Sequence, residues 1–205
     1  MEKFVRLTAT ACPLTVPNLN TDQILPARYL KWPRSKGLGT VLFQDLRFDA
    51  DGKEKPDFPL NKPAYRAAKI LLGGRNFGGG SSREAAVYAI YDSGIRCVVA
   101  PSFGDIFAQN SVKNGLLAAI ASEEDIAPFA AAVTANPART ITVDLEEQTI
   151  TSGDITCKFA IEPVSRNQLL NGWDDIDLTE SRRAEIDAFR ARDRQERPWA
   201  TPPAH

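Results

Sequence analysis

Apolar and β-branched positions alternate with polar ones in KFVRLTATACPLTV, residues 3–16, which predicts one or two strands ending at Pro17. Asn18 to Asp22 is a polar turn, and Ile24 to Trp32 fits either a short helix or an extended segment. Breakers and cations then crowd Pro33 to Gly39, which predicts a mobile loop and a candidate for substrate contact. Residues 49–63 hold a glycine and three prolines in polar company and read as an exposed connection.

From residue 68 the pattern changes. Ala68 to Leu72 predicts a buried strand, 73–80 a glycine-rich turn, Ser81 to Ser93 a helix and Arg96 to Pro101 the next strand. A second cycle follows: a helix over 103–114, a strand over 116–120, and an Ala-rich helix opened by Ser122-Glu123-Glu124-Asp125 that stops before Pro137. Residues 139–161 return to short strands separated by polar turns, a β meander. Val164 to Gly172 reads as a short helix ending at glycine, and Thr179 to Arg197 as one charged amphipathic helix ahead of a Pro-rich end. The alternation in the middle of the chain places the fold in the α/β class.

Composition narrows the chemistry. A chain of 205 residues that is 43% hydrophobic is long enough for one domain with its own core. Twenty-five basic against 26 acidic residues leave no excess charge to attract nucleic acid or an acidic membrane surface. No stretch approaches the ~20 apolar residues of a membrane span, so a cytoplasmic location is expected. Cys12, Cys97 and Cys157 are far apart and include no C-x-x-C pair, which argues against a disulfide framework or an iron-sulfur site built from this chain alone. The single histidine is His205, which excludes Ser-His-Asp hydrolysis and His-ligated metal centres.

The densest chemical signal is Gly73-Gly74-Arg75-Asn76-Phe77-Gly78-Gly79-Gly80-Ser81-Ser82-Arg83-Glu84, five glycines and two serines between a strand and a helix. Glycines permit close backbone approach, and Ser81 or Ser82 at a helix N-cap would leave N–H groups facing an anion. Gly79-Gly80 stand where a phosphate-binding loop needs Lys and Ser/Thr, and no G-x-G-x-x-G with a downstream acid is present, so both nucleotide readings fail. A capped tight turn and an anion site remain in balance on pattern alone. Arg83 favours the anion site, because its planar fork matches a carboxylate.

Three stretches in order carry a family resemblance: Asn20-Thr21-Asp22-Gln23-Ile24 with Pro26; Asn76-Phe77 through Ser81-Ser82-Arg83-Glu84; and Pro101-Ser102-Phe103-Gly104-Asp105-Ile106-Phe107 with Asn110 and Asn114 to Leu117. With Leu42 to Phe48 and Asn171 to Thr179, they resemble the swivel domain of the aconitase and isopropylmalate dehydratase family over residues 3–180. The resemblance implies a three-layer β/β/α swivelling domain over 1–180, with residues 181–205 a C-terminal helix and tail. It further implies a large-subunit partner, in a heterodimer or heterotetramer, that carries a four-iron four-sulfur cluster, and a small dicarboxylic or hydroxy-acid substrate. Ser81 then corresponds to the alkoxide base, Asp22 to an active-site acid, and Ser82, Arg83 and Asn76 to substrate-binding positions. The implied activity is a hydro-lyase of leucine biosynthesis that interconverts 2- and 3-isopropylmalate; a dehydratase of dimethylmalate, citramalate or homocitrate, or a non-catalytic anion-binding paralogue, are the alternatives.

The family motif continues with histidine where this chain has Ala85, which leaves either a tolerated packing change or an altered paralogue. Substrate choice is expected in the loop holding Arg28, Tyr29, Lys31 and Trp32. Trp32 suits an apolar pocket and Lys31 an extra carboxylate, though both are equally at home on a solvent-facing loop. Asp174-Asp175-x-Asp177 reads as a helix-capping turn, since the other oxygens of a calcium loop are missing.

Overall fold

The computed structural model describes residues 1–80 and 83–200. Seven strands, β1 (Arg6–Leu14), β2 (Ile70–Gly73), β3 (Cys97–Ala100), β4 (Leu117–Ile120), β5 (Thr140–Asp144), β6 (Thr149–Ser152) and β7 (Ile155–Lys158), form one mixed sheet in the order β4-β3-β2-β1-β5-β6-β7. The long first strand joins its two halves. Residues Arg6 to Thr10 pair antiparallel with β5, and Ala11 to Leu14 pair parallel with β2. The sheet curls until its ends meet, where Ile120 and Ala160 exchange backbone hydrogen bonds of 3.0 and 2.7 Å.

The curl produces the expected β/β/α layering. In β2, Ile70 and Leu72 face the antiparallel half, packing with Ile141, Val143 and Ile150 and with Ile126, Phe129 and Val133 of a helix. Leu71 points the other way, into a cluster with Val98 and with Ala86, Val87, Ala89 and Ile90. Strands β2 and β3 are therefore buried on both faces, which explains their unbroken apolar runs, while β5 and β6 alternate because one face is covered.

The helices are α1 (Thr21–Ile24), α2 (Gln44–Arg47), α3 (Glu84–Asp92), α4 (Asp105–Lys113), α5 (Glu123–Ala135), α6 (Pro163–Asn171), α7 (Asp175–Glu180) and α8 (Arg183–Glu196). Ser122 caps α5 as its sequence predicts, accepting from the Asp125 N–H at 3.1 Å, and Gly172 ends α6 in the left-handed region. The acidic run is a cap: Asp174 accepts from the N–H groups of Ile176 and Asp177, and the Asp177 carboxylate accepts from the Asp174 N–H.

Three expectations change. The helix expected from Ser81 begins at Glu84 with Arg83 in the cap position and no side-chain cap bond, because a guanidinium has no acceptor for a backbone N–H. The predicted mobile loop of Pro33 to Gly39 forms 3-10 turns at Arg34–Lys36 and Leu38–Val41, tied to α3 by an ion pair. The 49–63 connection is exposed over most of its length, as expected, and is pinned near its end by Asn61, which is buried and donates to the carbonyls of Arg47 and Lys55 at 2.7 and 2.9 Å. The single helix expected over 179–197 is two, broken where the Ser181 hydroxyl donates to the Leu178 carbonyl at 2.7 Å. Among the described residues, no helix is long and apolar enough to cross a membrane.

All three cysteines are buried. Burial pushes the Cys12 thiol up to about 12, against a smaller lowering by Lys62, and the Cys157 thiol up to about 11, with Asp125 adding to the rise. Cys97 is raised further by burial alone. The thiols therefore stay protonated in the folded chain while those of the unfolded chain ionise from about pH 8.5 upward. Their contribution to stability is intact below that pH and is lost as pH climbs towards the folded values. The urea midpoint is expected to hold between about pH 7 and 8 and to fall by about pH 10, and to fall less when Cys12, Cys97 and Cys157 are all replaced by Ala.

Candidate functional site

The turn after β2 runs as the middle of three extended segments. On one side the Asn18 N–H donates to the Arg75 carbonyl at 2.7 Å, the Gly78 N–H to the Leu19 carbonyl at 2.7 Å, and the Thr21 N–H to the Gly79 carbonyl at 3.0 Å. On the other side the Phe77 N–H donates to the Ser102 carbonyl and the Gly104 N–H to the Phe77 carbonyl, both at 3.0 Å. The three sequence motifs thus meet as neighbouring strands of backbone.

That approach requires glycine. At Gly78, with φ of +70°, a β-carbon would lie 2.2 Å from the Phe107 ring, and at Gly104 one would lie 2.7 Å from the Gly78 carbonyl oxygen. Phe107 is buried and packs edge-on to Phe77 at 5.5 Å and stacked on Phe103 at 6.2 Å, so the ring has nowhere to go.

Helix α1 presents Asp22 to this turn. Asn20 holds it there through a reciprocal capping box with Gln23, both bonds being 2.9 Å. Arg83, at the start of α3, makes an ion pair with Asp22 through Nη1 and the carboxylate Oδ1. The Arg83 side chain is 21% exposed and that of Asp22 50%. A cationic fork and a carboxylate therefore stand side by side, open to solvent and attached to the two ends of the glycine turn's support. Such a pair can exchange its internal contact for an incoming carboxylate, with the released acid left nearby to handle a proton.

Asn76 lies in the turn with φ of +56°, its amide donating to Asn18 Oδ1 at 3.0 Å and its backbone N–H to Ser102 Oγ at 2.9 Å. Ser81 and Ser82 lie outside the described residues. Arg28, Tyr29, Lys31 and Trp32 sit on the segment after α1, where Arg28 forks onto Asp45, and Tyr29 meets Trp32 edge-on at 4.9 Å. Ala85 is half-buried against the core cluster under α3. A cleft of about 500 Å³ opens between Gly74, Arg75, Pro101, Glu123 and Ile126, and none of the predicted site residues lines it. Sequence reading missed Asn18 and Ser102 as supports of the turn; the one available signal is that each is a polar residue directly after a proline, Pro17 or Pro101.

Among the described residues, no three His, Cys, Asp or Glu side chains converge to hold a metal ion. The donor set of this chain does not fit an iron-sulfur cluster, since its cysteines do not converge: Cys12 lies in one core cluster and Cys97 and Cys157 in the other.

Comparison with known proteins agrees with this geometry. The aconitase C-terminal domain family model matches residues 1–124, and the LeuD_N model matches residues 129–163. The 3-isopropylmalate dehydratase small subunit of Rhodospirillum centenum is 53% identical over 98% of this chain and 99% of its own. Those of Dinoroseobacter shibae and Brucella canis are 48% and 47% identical, over 97% and 98% of this chain and 100% of their own. Among solved structures, 3-isopropylmalate dehydratase from Methanocaldococcus jannaschii superposes with a TM-score of 0.66 at 24% identity, over 89% of this chain and 98% of the other, and so shares the fold. On these grounds the chain belongs to the aconitase C-terminal domain family, among the 3-isopropylmalate dehydratase small subunits.

Proposed function

We propose that this chain is the small subunit of a two-subunit hydro-lyase that interconverts 2-isopropylmalate and 3-isopropylmalate by dehydration and rehydration in leucine biosynthesis. The observation that carries the proposal is the solvent-facing Arg83–Asp22 pair, held where the three motifs of this family meet. Residues 1–180 are the working domain in this reading, and 181–205 an appended helix and tail. No residue of α8 is buried, as suits an appendage.

Binding begins with the guanidinium. Arg83 offers a planar pair of donors to one substrate carboxylate, with Ser82 and Asn76 as further contacts. The family resemblance gives Ser81 the proton: its alkoxide Oγ accepts a proton from the carbon adjacent to the one that bears the leaving hydroxyl, the C–H electrons form the alkene, and the C–O electrons leave with the hydroxide towards the large subunit's side of the site. A serine hydroxyl is a feeble base, so the role requires a positive field, which Arg83 two residues on would supply. Asp22 balances that charge in the resting state and accepts or returns a proton on the reverse step. Activation of the leaving hydroxyl belongs, by the same resemblance, to the cluster of the large subunit.

The large subunit's partnership and the substrate are tested together by co-expressing this chain with a cognate large subunit. Ser81→Ala is expected to lower kcat on 3-isopropylmalate by about a thousandfold with KM little changed, since only the proton transfer is removed. Retained turnover would overturn the assignment of the base. Arg83→Lys is expected to raise KM by about tenfold or more, because an ammonium cannot form the bidentate contact. A panel of dimethylmalate, citramalate and homocitrate run on the same preparation decides which acid fits best, and preference for one of these would replace isopropylmalate as substrate.

A further inference from the structure

Residues 33–41 carry the chain away from the segment of Arg28 to Trp32, and they land on the far end of α3. Arg34 Nε donates to both carboxylate oxygens of Asp92 at 3.1 and 3.2 Å, and Nη2 donates to Oδ1 at 2.8 Å. The guanidinium lies 4.4 Å from the centre of the Tyr88 ring, one turn back on the same helix. Asp92 is largely shielded, its side chain 19% exposed. Gly39 forms a second anchor, uncharged and independent of the first. It rests directly on the helix end, where a β-carbon would lie 2.5 Å from the Ser93 nitrogen and 2.6 Å from the Asp92 carbonyl carbon.

Two arguments lift this pair above an ordinary surface contact. Exposed ion pairs are usually weak because two flexible chains must be immobilised. Here the ring already orients the guanidinium, and the aspartate is fixed on a helix. Asp92 is also the last residue of α3, where a carboxylate faces the negative end of the helix dipole, so a cation bonded to it removes an unfavourable charge. Helix α3 is a rigid rod of about 13 Å, with Asp92 at one end and Arg83 against the other. Whatever the loop grips at Asp92 is thereby indexed to the carboxylate-binding fork.

We propose that Arg34 and Asp92 form a latch that sets the position of the loop carrying Arg28, Tyr29, Lys31 and Trp32 relative to Arg83, and through it the affinity for substrate. The proposal rests on the dehydratase reading above. Arg34 and Asp92 are positioning residues, acting through the loop and touching no substrate.

Steady-state kinetics of the reconstituted two-subunit enzyme test the latch. Arg34→Ala and Asp92→Ala are each expected to raise KM for 3-isopropylmalate about tenfold while kcat stays within about twofold. Arg34→Lys should not restore KM, and the exchange Arg34→Asp with Asp92→Arg should restore part of it. The isolated chain provides a readout that needs no activity: in Asp92→Ala, trypsin cleavage after Lys31 and Lys36 should speed up several-fold with the thermal midpoint lowered by only a few degrees. Unchanged cleavage, an unchanged KM, or a fall in kcat without a rise in KM overturns the latch. If the wild-type pair fails to turn over isopropylmalate, the dehydratase reading fails by itself, and the cleavage rates still decide whether the latch holds the loop.

Discussion

The site depends on the absence of one carbon atom at Gly78. The backbone there passes so close to the Phe107 ring that any side chain would collide with it, and its left-handed φ suits glycine. Because the turn can lie that close, its N–H and carbonyl groups reach the segment of Leu19 to Thr21 on one side and, through Phe77, that of Ser102 to Gly104 on the other. Asp22 and Arg83 come together as a result, although 61 residues separate them. The aromatic cluster of Phe77, Phe103 and Phe107 is thus a floor for the chemistry as much as a piece of core.

A shared first strand provides the framework for that floor. One half of β1 lies in a parallel sheet whose strands are buried on both faces, and the other half begins an antiparallel meander that folds back over it. The parallel half delivers the turns after β2 and β3 to one end of the sheet, the end at which turns in such sheets commonly form ligand sites. The antiparallel half contributes bulk and closure, holding the inner face dry through Ile141, Val143 and Ile150. Burial of that quality also keeps Cys12, Cys97 and Cys157 protonated in the folded chain.

Around this rigid centre the chain arranges less regular pieces. The segment from α1 to Val41 contains only short helices and 3-10 turns, yet it is fastened at intervals by Arg28 to Asp45, by Arg34 to Asp92 and by Gly39 against Ser93. A segment of that kind can change its side chains without disturbing the sheet. Recognition of the acid can then vary while Arg83, Asp22 and the glycine turn remain as they are.

Much of this was legible in the sequence. Alternation in residues 3–16, the unbroken apolar runs of β2 and β3, the Ser122 cap and the terminal Gly172 are local signals, because strand pleat, helix period and cap geometry act over a few residues. The glycine turn and the ordered motifs around Asp22 and Ser102 were likewise visible as residue types. What the sequence could not contain was the pairing. Polar composition made Pro33 to Gly39 look mobile, since nothing near it in the chain announces Asp92, and the periodicity of 179–197 hid a break at Ser181 and Arg182. Arg83 was read as the residue after a serine cap, whereas it occupies the cap position itself and spends its guanidinium on Asp22. Local patterns fix which elements form because their energies are local; which charges meet is decided only when the curled sheet brings distant turns to a common edge.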